Sequence, residues 1–403
     1  MREVTMNSFA LYNKKHGLKD LVALLPAVFF IFFVVYQPPL PISIVYLISG
    51  FSFIWIFSFS SFGKDVLRLL TIFAILLLFL LVSAIANNTS ISNISSPFWI
   101  AFAIIPAAVV FSDISKKYNH NTVFHIILAA SLIQSFLAII SFFNIGFNRF
   151  LYDLMIKNGL YSQEHLETFS YRIYGYGTSL MYSIPIVQGM ISAWCIIKGT
   201  LERKYLYYPI SLIVLFSGII NAKITIIVFV VVLLSSLLFC KQLGWKKIVL
   251  VILVISLFAA IFSFFLSFLK TNNTMLFNWF SILFNKDLLN EWYFSYYTDT
   301  SRLVLPQNWK LVLGAGGYAR YFGTYTDIGF INDMWLGGIV YSIFVAVIIV
   351  FLLLKILKSK KIHKPWNSIL SISFLLVYIV ANIKGIAFNY SAFMALFAIV
   401  ALL

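Results

Sequence analysis

The sequence predicts an all-α, polytopic integral membrane fold, on three observations. Hydrophobic residues make up 62% of the chain and charged residues only 10%, whereas a soluble domain carries about a quarter charged residues. Apolar runs long enough for a helix to cross a hydrocarbon core of about 30 Å recur from one end to the other. The formal net charge of +16 gathers on alternate connections between those runs, which assigns it to one membrane face rather than to nucleic acid.

In chain order the runs cover residues 20–36, 40–58, 66–86, 97–111, 122–143, 180–197, 205–220, 223–240, 247–268, 329–354, 365–381 and 385–403, about twelve spans in all. The first follows a basic, polar stretch and continues into Gln37, Pro38 and Pro39 without a small-residue cleavage site, so it is expected to remain as an uncleaved span. With the N-terminus placed inside, the cytoplasmic connections hold nineteen of the 29 basic residues against five of the 13 acidic ones. That asymmetry predicts a membrane protein with both termini cytoplasmic. Cys195 and Cys240 fall near cytoplasmic span ends, where thiols stay reduced, and imply no disulfide framework. The whole chain, 1–403, reads as one polytopic membrane domain.

Most connections are short, but two extracytoplasmic loops, residues 144–179 and 269–328, exceed what compact domains use. Long loops on a rigid scaffold are where function concentrates. The first ends Tyr171-Arg172-Ile173-Tyr174-Gly175-Tyr176-Gly177 at the mouth of the sixth span. Arg172 has the planar, permanently charged fork that grips a phosphate, and Gly175 lets backbone approach a ligand; the alternative is an interfacial arginine reaching lipid headgroups. Lys223, in the tight connection Asn221-Ala222-Lys223, is either a second cation facing a cavity or a plain helix-end anchor.

The second loop supplies Ser301-Arg302, then Leu313-Gly314-Ala315-Gly316-Gly317 and Arg320, then Thr326-Asp327 before the tenth span. Arg302 and Arg320 bring positive charge beside a glycine cluster containing Gly316, whose N–H groups either form an anion nest or simply make turns. Asp327 is the candidate general base, against a helix cap or ion-pair partner. The aromatic stretch Trp292 to Tyr297 offers faces for sugars or a belt at the membrane surface, and His165 reads as a solvated loop residue. The chain contains no Gly-x-x-x-x-Gly-Lys-Ser/Thr, His-Glu-x-x-His or Asp-x-Asp motif, which disfavours an ATP-driven pump, a zinc protease and a metal-dependent nucleotide-sugar transferase. Few acids lie within the spans, which disfavours an ion-coupled carrier.

These residues resemble the O-antigen and polysaccharide polymerase family (Wzy-type), within the superfamily shared with the O-antigen ligases. Arg172-x-x-Gly175 resembles the superfamily's Arg-x-x-Gly before a span, and Asn221-Ala222-Lys223 its Ala-Arg turn with lysine in place of arginine. Ser301-Arg302 with Leu313-Gly314-Ala315-Gly316 resembles its Ser-Arg and Leu-Phe-Gly-x-Gly pair. Thr326-Asp327 through Gly337-Gly338 resembles the stretch that in ligases begins Pro-His-Asn; Asp327 replaces the ligase histidine, which favours polymerase over ligase. The resemblance implies a GT-C-like scaffold that joins undecaprenyl-pyrophosphate-linked repeat units on the outer face of the inner membrane. It implies inverting transfer with no metal and no cofactor, Arg172, Arg302 and Lys223 at the pyrophosphate and Asp327 as base. Partners would be the lipid-linked glycans, membrane lipids and, as a candidate, a chain-length regulator. A ligase and a lipid-linked oligosaccharide flippase are the alternatives.

Overall fold

The computed structural model describes residues 18–40, 44–59, 63–158, 173, 175, 177, 182–239, 244–272, 274–281, 299–362, 364–389 and 391–403. Among these residues all regular structure is helical. Every predicted apolar run becomes a helix: α1 (Leu18–Tyr36), α2 (Ile44–Phe59), α3 (Lys64–Ala86), α4 (Ile91–Lys117), α5 (His120–Phe143), then, after an unpredicted α6 (Ile145–Lys157), α7 (Ser183–Glu202), α8 (Tyr207–Ile219), α9 (Ile224–Phe239) and α10 (Trp245–Asn272). A short α11 (Thr274–Ser281) precedes α12 (Gly329–Lys358), α13 (Trp366–Lys384) and α14 (Ser391–Leu402).

Seven of these, α3, α4, α5, α7, α10, α12 and α13, are long and apolar enough to cross a membrane; α1, α2, α8, α9 and α14 are shorter apolar helices. At 1.5 Å per residue the 13 residues of α8 reach only about 20 Å. The run-length rule therefore sees twelve apolar segments, while helix length alone supports seven crossings.

Local chemistry explains where helices start and bend. Asn144 stops α5 and caps α6, its Oδ1 accepting from the Phe147 N–H at 3.0 Å, so the first long loop opens with an amphipathic helix that buries Leu151 and Met155. Within α4 the stretch Ile100–Ile104 is π-helical just before Pro106. Proline has no N–H to give the Phe102 carbonyl, and the Ser49 hydroxyl of α2 donates to that carbonyl instead, at 2.5 Å. In lipid an unsatisfied carbonyl costs several kcal/mol, so this side-chain bond ties α2 to α4.

The centre of the bundle is α7 and α14. α14 packs against α1, α4, α7 and α12, and Ala392 to Ala401 are all buried. Its N-terminal N–H groups are capped from another helix: the Ser183 hydroxyl accepts from Ala392 N at 2.8 Å and Phe393 N at 3.4 Å.

Candidate functional site

Two arrangements carry the predicted residues, both at the ends of helices joined by the long loops. The first is built around a break in α12. Gly337 and Gly338 leave helical geometry, Gly338 with φ +65°. The backbone of 312–316 fills the gap: Ala315 N–H donates to Trp335 O (2.7 Å) and Gly316 N–H to Leu336 O (3.2 Å). A Cβ on Gly314, itself at φ +76°, would lie 2.4 Å from Gly337 Cα, so only glycine allows this approach. The Gly316 carbonyl accepts from Thr89 Oγ1 (2.7 Å) and Asn93 Nδ2 (3.2 Å), which pins the loop to the turn after α3. Because the N–H groups of Gly314, Ala315 and Gly316 all donate to backbone carbonyls, the glycine cluster makes turns and fills the break; these N–H groups are not turned to an anion.

Beside the break, Asn332 is the organising side chain. Its Oδ1 accepts from Ala319 N (3.2 Å), and its Nδ2 donates to Thr326 O (3.0 Å) and Ile328 O (3.1 Å). These bonds bracket Arg320 and Asp327, whose side chains are exposed. Asp333, only 3% exposed, accepts from Asn382 Nδ2 at 3.3 Å, and Asn382 Oδ1 accepts from Ala387 N at 2.9 Å. This chain of polar groups locks the first turns of α12 to the end of α13. Arg302 pairs with Asp299 at 3.2 Å and is 34% exposed. The Ser301 hydroxyl and backbone N–H both donate to Asp299 (2.7 and 3.0 Å), and those bonds, with Arg302, hold its carboxyl below the usual range.

The second arrangement joins the end of the first long loop to the turn between α8 and α9. Arg172 lies outside the described residues, as do His165 and the Trp292 to Tyr297 stretch, and so does Cys240; Cys195 is buried in α7 as a free thiol. Ile173 N–H donates to Ile220 O at 3.2 Å. Gly175, at φ +64°, passes so close to α5 that a Cβ would sit 2.6 Å from Gln134 Nε2. Asn221 and Lys223 are buried, Lys223 at 7% exposure. Ala138, Ile173 and Ile220 form an apolar cluster with Phe142, Phe216 and Phe265. Phe216 and Phe265 also line a groove of about 350 Å³ between α5, α8 and α10. A buried lysine therefore lies three residues after Ile220, which packs with two of the groove's phenylalanines.

Gly175 and Lys223 thus share one arrangement, and Gly316, Arg320 and Asp327 share the other. Sequence inspection missed Asn332, Asp333 and Asn382. The available signal was polar residues inside otherwise apolar runs, each of which needs a partner at membrane depth. Among the described residues no three His, Cys, Asp or Glu side chains group to hold a metal ion. Compared with protein-family models, curated proteins and solved structures, the chain matches none.

Proposed function

We propose that this chain is a polysaccharide polymerase that joins undecaprenyl-pyrophosphate-linked repeat units on the outer face of a bacterial inner membrane, on a GT-C-like scaffold of twelve spans with cytoplasmic termini. The observation that carries the proposal is the second arrangement. Lys223 is buried in the turn whose Ile220 carbonyl accepts from Ile173, the residue after Arg172, and Ile220 packs with Phe216 and Phe265, two of the residues lining an apolar groove of about 350 Å³. A lipid-linked pyrophosphate needs those two elements together, a cation for the head and an apolar wall for the tail.

In this proposal an acceptor sugar hydroxyl attacks the anomeric carbon of the donor as the bond from that carbon to the pyrophosphate oxygen breaks. The hydroxyl proton passes to Asp327, and the electron pair leaves on the lipid pyrophosphate. Arg172, Arg302 and Lys223 neutralise the charge that grows on the leaving group, which stabilises the transition state more than the ground state. Direct displacement inverts the anomeric centre.

The break in α12 favours one alternative, a flippase, because discontinuous helices at bilayer depth are a transporter device. Here, however, the gap is closed by the 312–316 backbone rather than lining a path. Rescue of a null strain separates the cases, with surface glycan read on a gel at matched expression. Lys223→Ala, Arg302→Ala and Asp327→Ala are expected to leave a single repeat unit on its carrier and abolish the ladder. Long lipid-linked polymer that is never attached would indicate a ligase. An unchanged ladder in all three variants would overturn the proposal.

A further inference from the structure

The first arrangement carries a feature that the transfer chemistry does not use. Ahead of the α12 break lie two stacked aromatic pairs, with one ring of each beside Gly317. Tyr318 stacks with Tyr321 at 6.4 Å between centroids, and Phe322 stacks with Trp335 at 4.9 Å. A Cβ on Gly317 would lie 3.1 Å from Asn93 Nδ2 and 3.5 Å from both Phe322 and Tyr321, so one ring of each stacked pair borders that glycine. Tyr321 remains 56% exposed. Arg320 lies over the Tyr321 ring at 5.0 Å and donates to its hydroxyl at 3.2 Å.

We propose that this surface is a saccharide-binding platform, with Asn332 as the residue that aligns it. Sugar rings present apolar C–H faces that stack on electron-rich aromatic faces, and their hydroxyls bond to flanking charged forks and carboxylates. Tyr321, the most exposed of the four rings, and the exposed side of Phe322 supply the apolar contact, and Arg320, which already lies over Tyr321, and Asp327 supply the rim. Rings that anchor a protein in the headgroup layer turn their polar tips to the wet side. Here Trp335 Nε1 donates instead to Val304 O at 2.9 Å, and the three Asn332 bonds hold the backbone on either side of Asp327 and before Arg320. The occupant is the oligosaccharide part of the substrate, held apart from the pyrophosphate and lipid that Lys223 and the apolar groove would take.

This inference rests on the glycan-handling function proposed above, and its test is chosen to fail separately. Full-length protein in phosphatidylethanolamine/phosphatidylglycerol nanodiscs is mixed with one- to three-repeat oligosaccharides released from the native host's surface polysaccharide by mild acid. Saturation-transfer NMR is then recorded. Transfer to sugar ring protons is expected in the wild type, and is expected to fall at least fivefold in Tyr321→Ala and in Asn332→Ala. It is expected to persist in Lys223→Ala and in Leu257→Ala, a lipid-side control on α10. Tyr321 is exposed, so its variant keeps the test decisive if Asn332→Ala fails to fold. No transfer in the wild type, or equal transfer in Tyr321→Ala, overturns the platform. So does headgroup-labelled lipid that quenches Trp335 emission, isolated as wild type minus Trp335→Phe, with no effect of added sugar. Transfer that is lost in Tyr321→Ala, in a protein that proves not to polymerise, would keep the platform and remove the proposed function.

Discussion

α7 and α10 are both apolar helices, yet they occupy opposite environments. In α7, 94% of the membrane-length window is buried inside the protein; in α10 the share is 17%. The buried helix is the more polar one. α7 carries Gln188, Gly189, Ser192 and Lys198 among its buried residues, whereas α10 exposes Leu253, Leu257, Phe264 and Phe268. In water the apolar helix would be the core, but lipid tails are as apolar as leucine and give helices no hydrophobic reason to associate. Close backbone approach and interhelical hydrogen bonds hold the centre instead. Ser192 and Ser211 exchange bonds at 2.8–2.9 Å between α7 and α8. Gly189 lets α7 come within reach of the Thr225 carbonyl of α9.

Substitutions at the two kinds of site sharpen that contrast. The largest effect is expected from Gly314→Ala, where both the positive φ and a 2.4 Å clash with Gly337 backbone oppose a methyl group. A loss of about 3 kcal/mol or more is expected, read as loss of the folded peak in detergent size-exclusion. A folded, equally stable Gly314→Ala would break the account of the α12 break. Ser183→Ala removes the cap that α7 provides to α14 and should cost about 0.5–2 kcal/mol, seen as a lower thermal midpoint. Leu257→Ala, on a lipid-facing position 58% exposed, should stay within about 0.5 kcal/mol. A larger loss there would mean that α10 is covered by something other than lipid.

The smallest effect is a pH dependence in the second long loop. Asp299 is held below the usual carboxylate range first by the Ser301 bonds and then by Arg302. A depressed folded-state pKa contributes order that is fully present above the unfolded value of about 3.9 and lost as pH falls through the folded value. Protease nicking near Thr300 to Arg302 should therefore be flat at neutral pH and rise only under strong acid. Asp299→Asn should remove that rise.

The helical class and the apolar segments were legible from periodicity and run length, because a bilayer admits few alternatives to a helix. Segment ends were less legible. α6 escaped notice because its amphipathic pattern, with Arg149, Asp153 and Lys157 on it, is that of a surface helix and not a span. The candidate site was half legible. Arg320 and Asp327 stand out as charges at helix mouths, but Asn332 and Asp333 look the same in sequence as any polar residue near a span.

By itself, then, the sequence determined an all-helical membrane chain with two long loops and cations at their ends. That much follows from transfer free energy, which is additive along the chain and local in origin. Only the tertiary structure decided that α14 lies at the centre, that 312–316 fills a break in α12, and that one asparagine brackets Arg320 and Asp327. The first depends on polar groups that meet across helices far apart in sequence, as Ser183 and Ala392 do; the other two depend on side-chain and loop-backbone hydrogen bonds, which follow no helical or strand period and so leave no periodic trace.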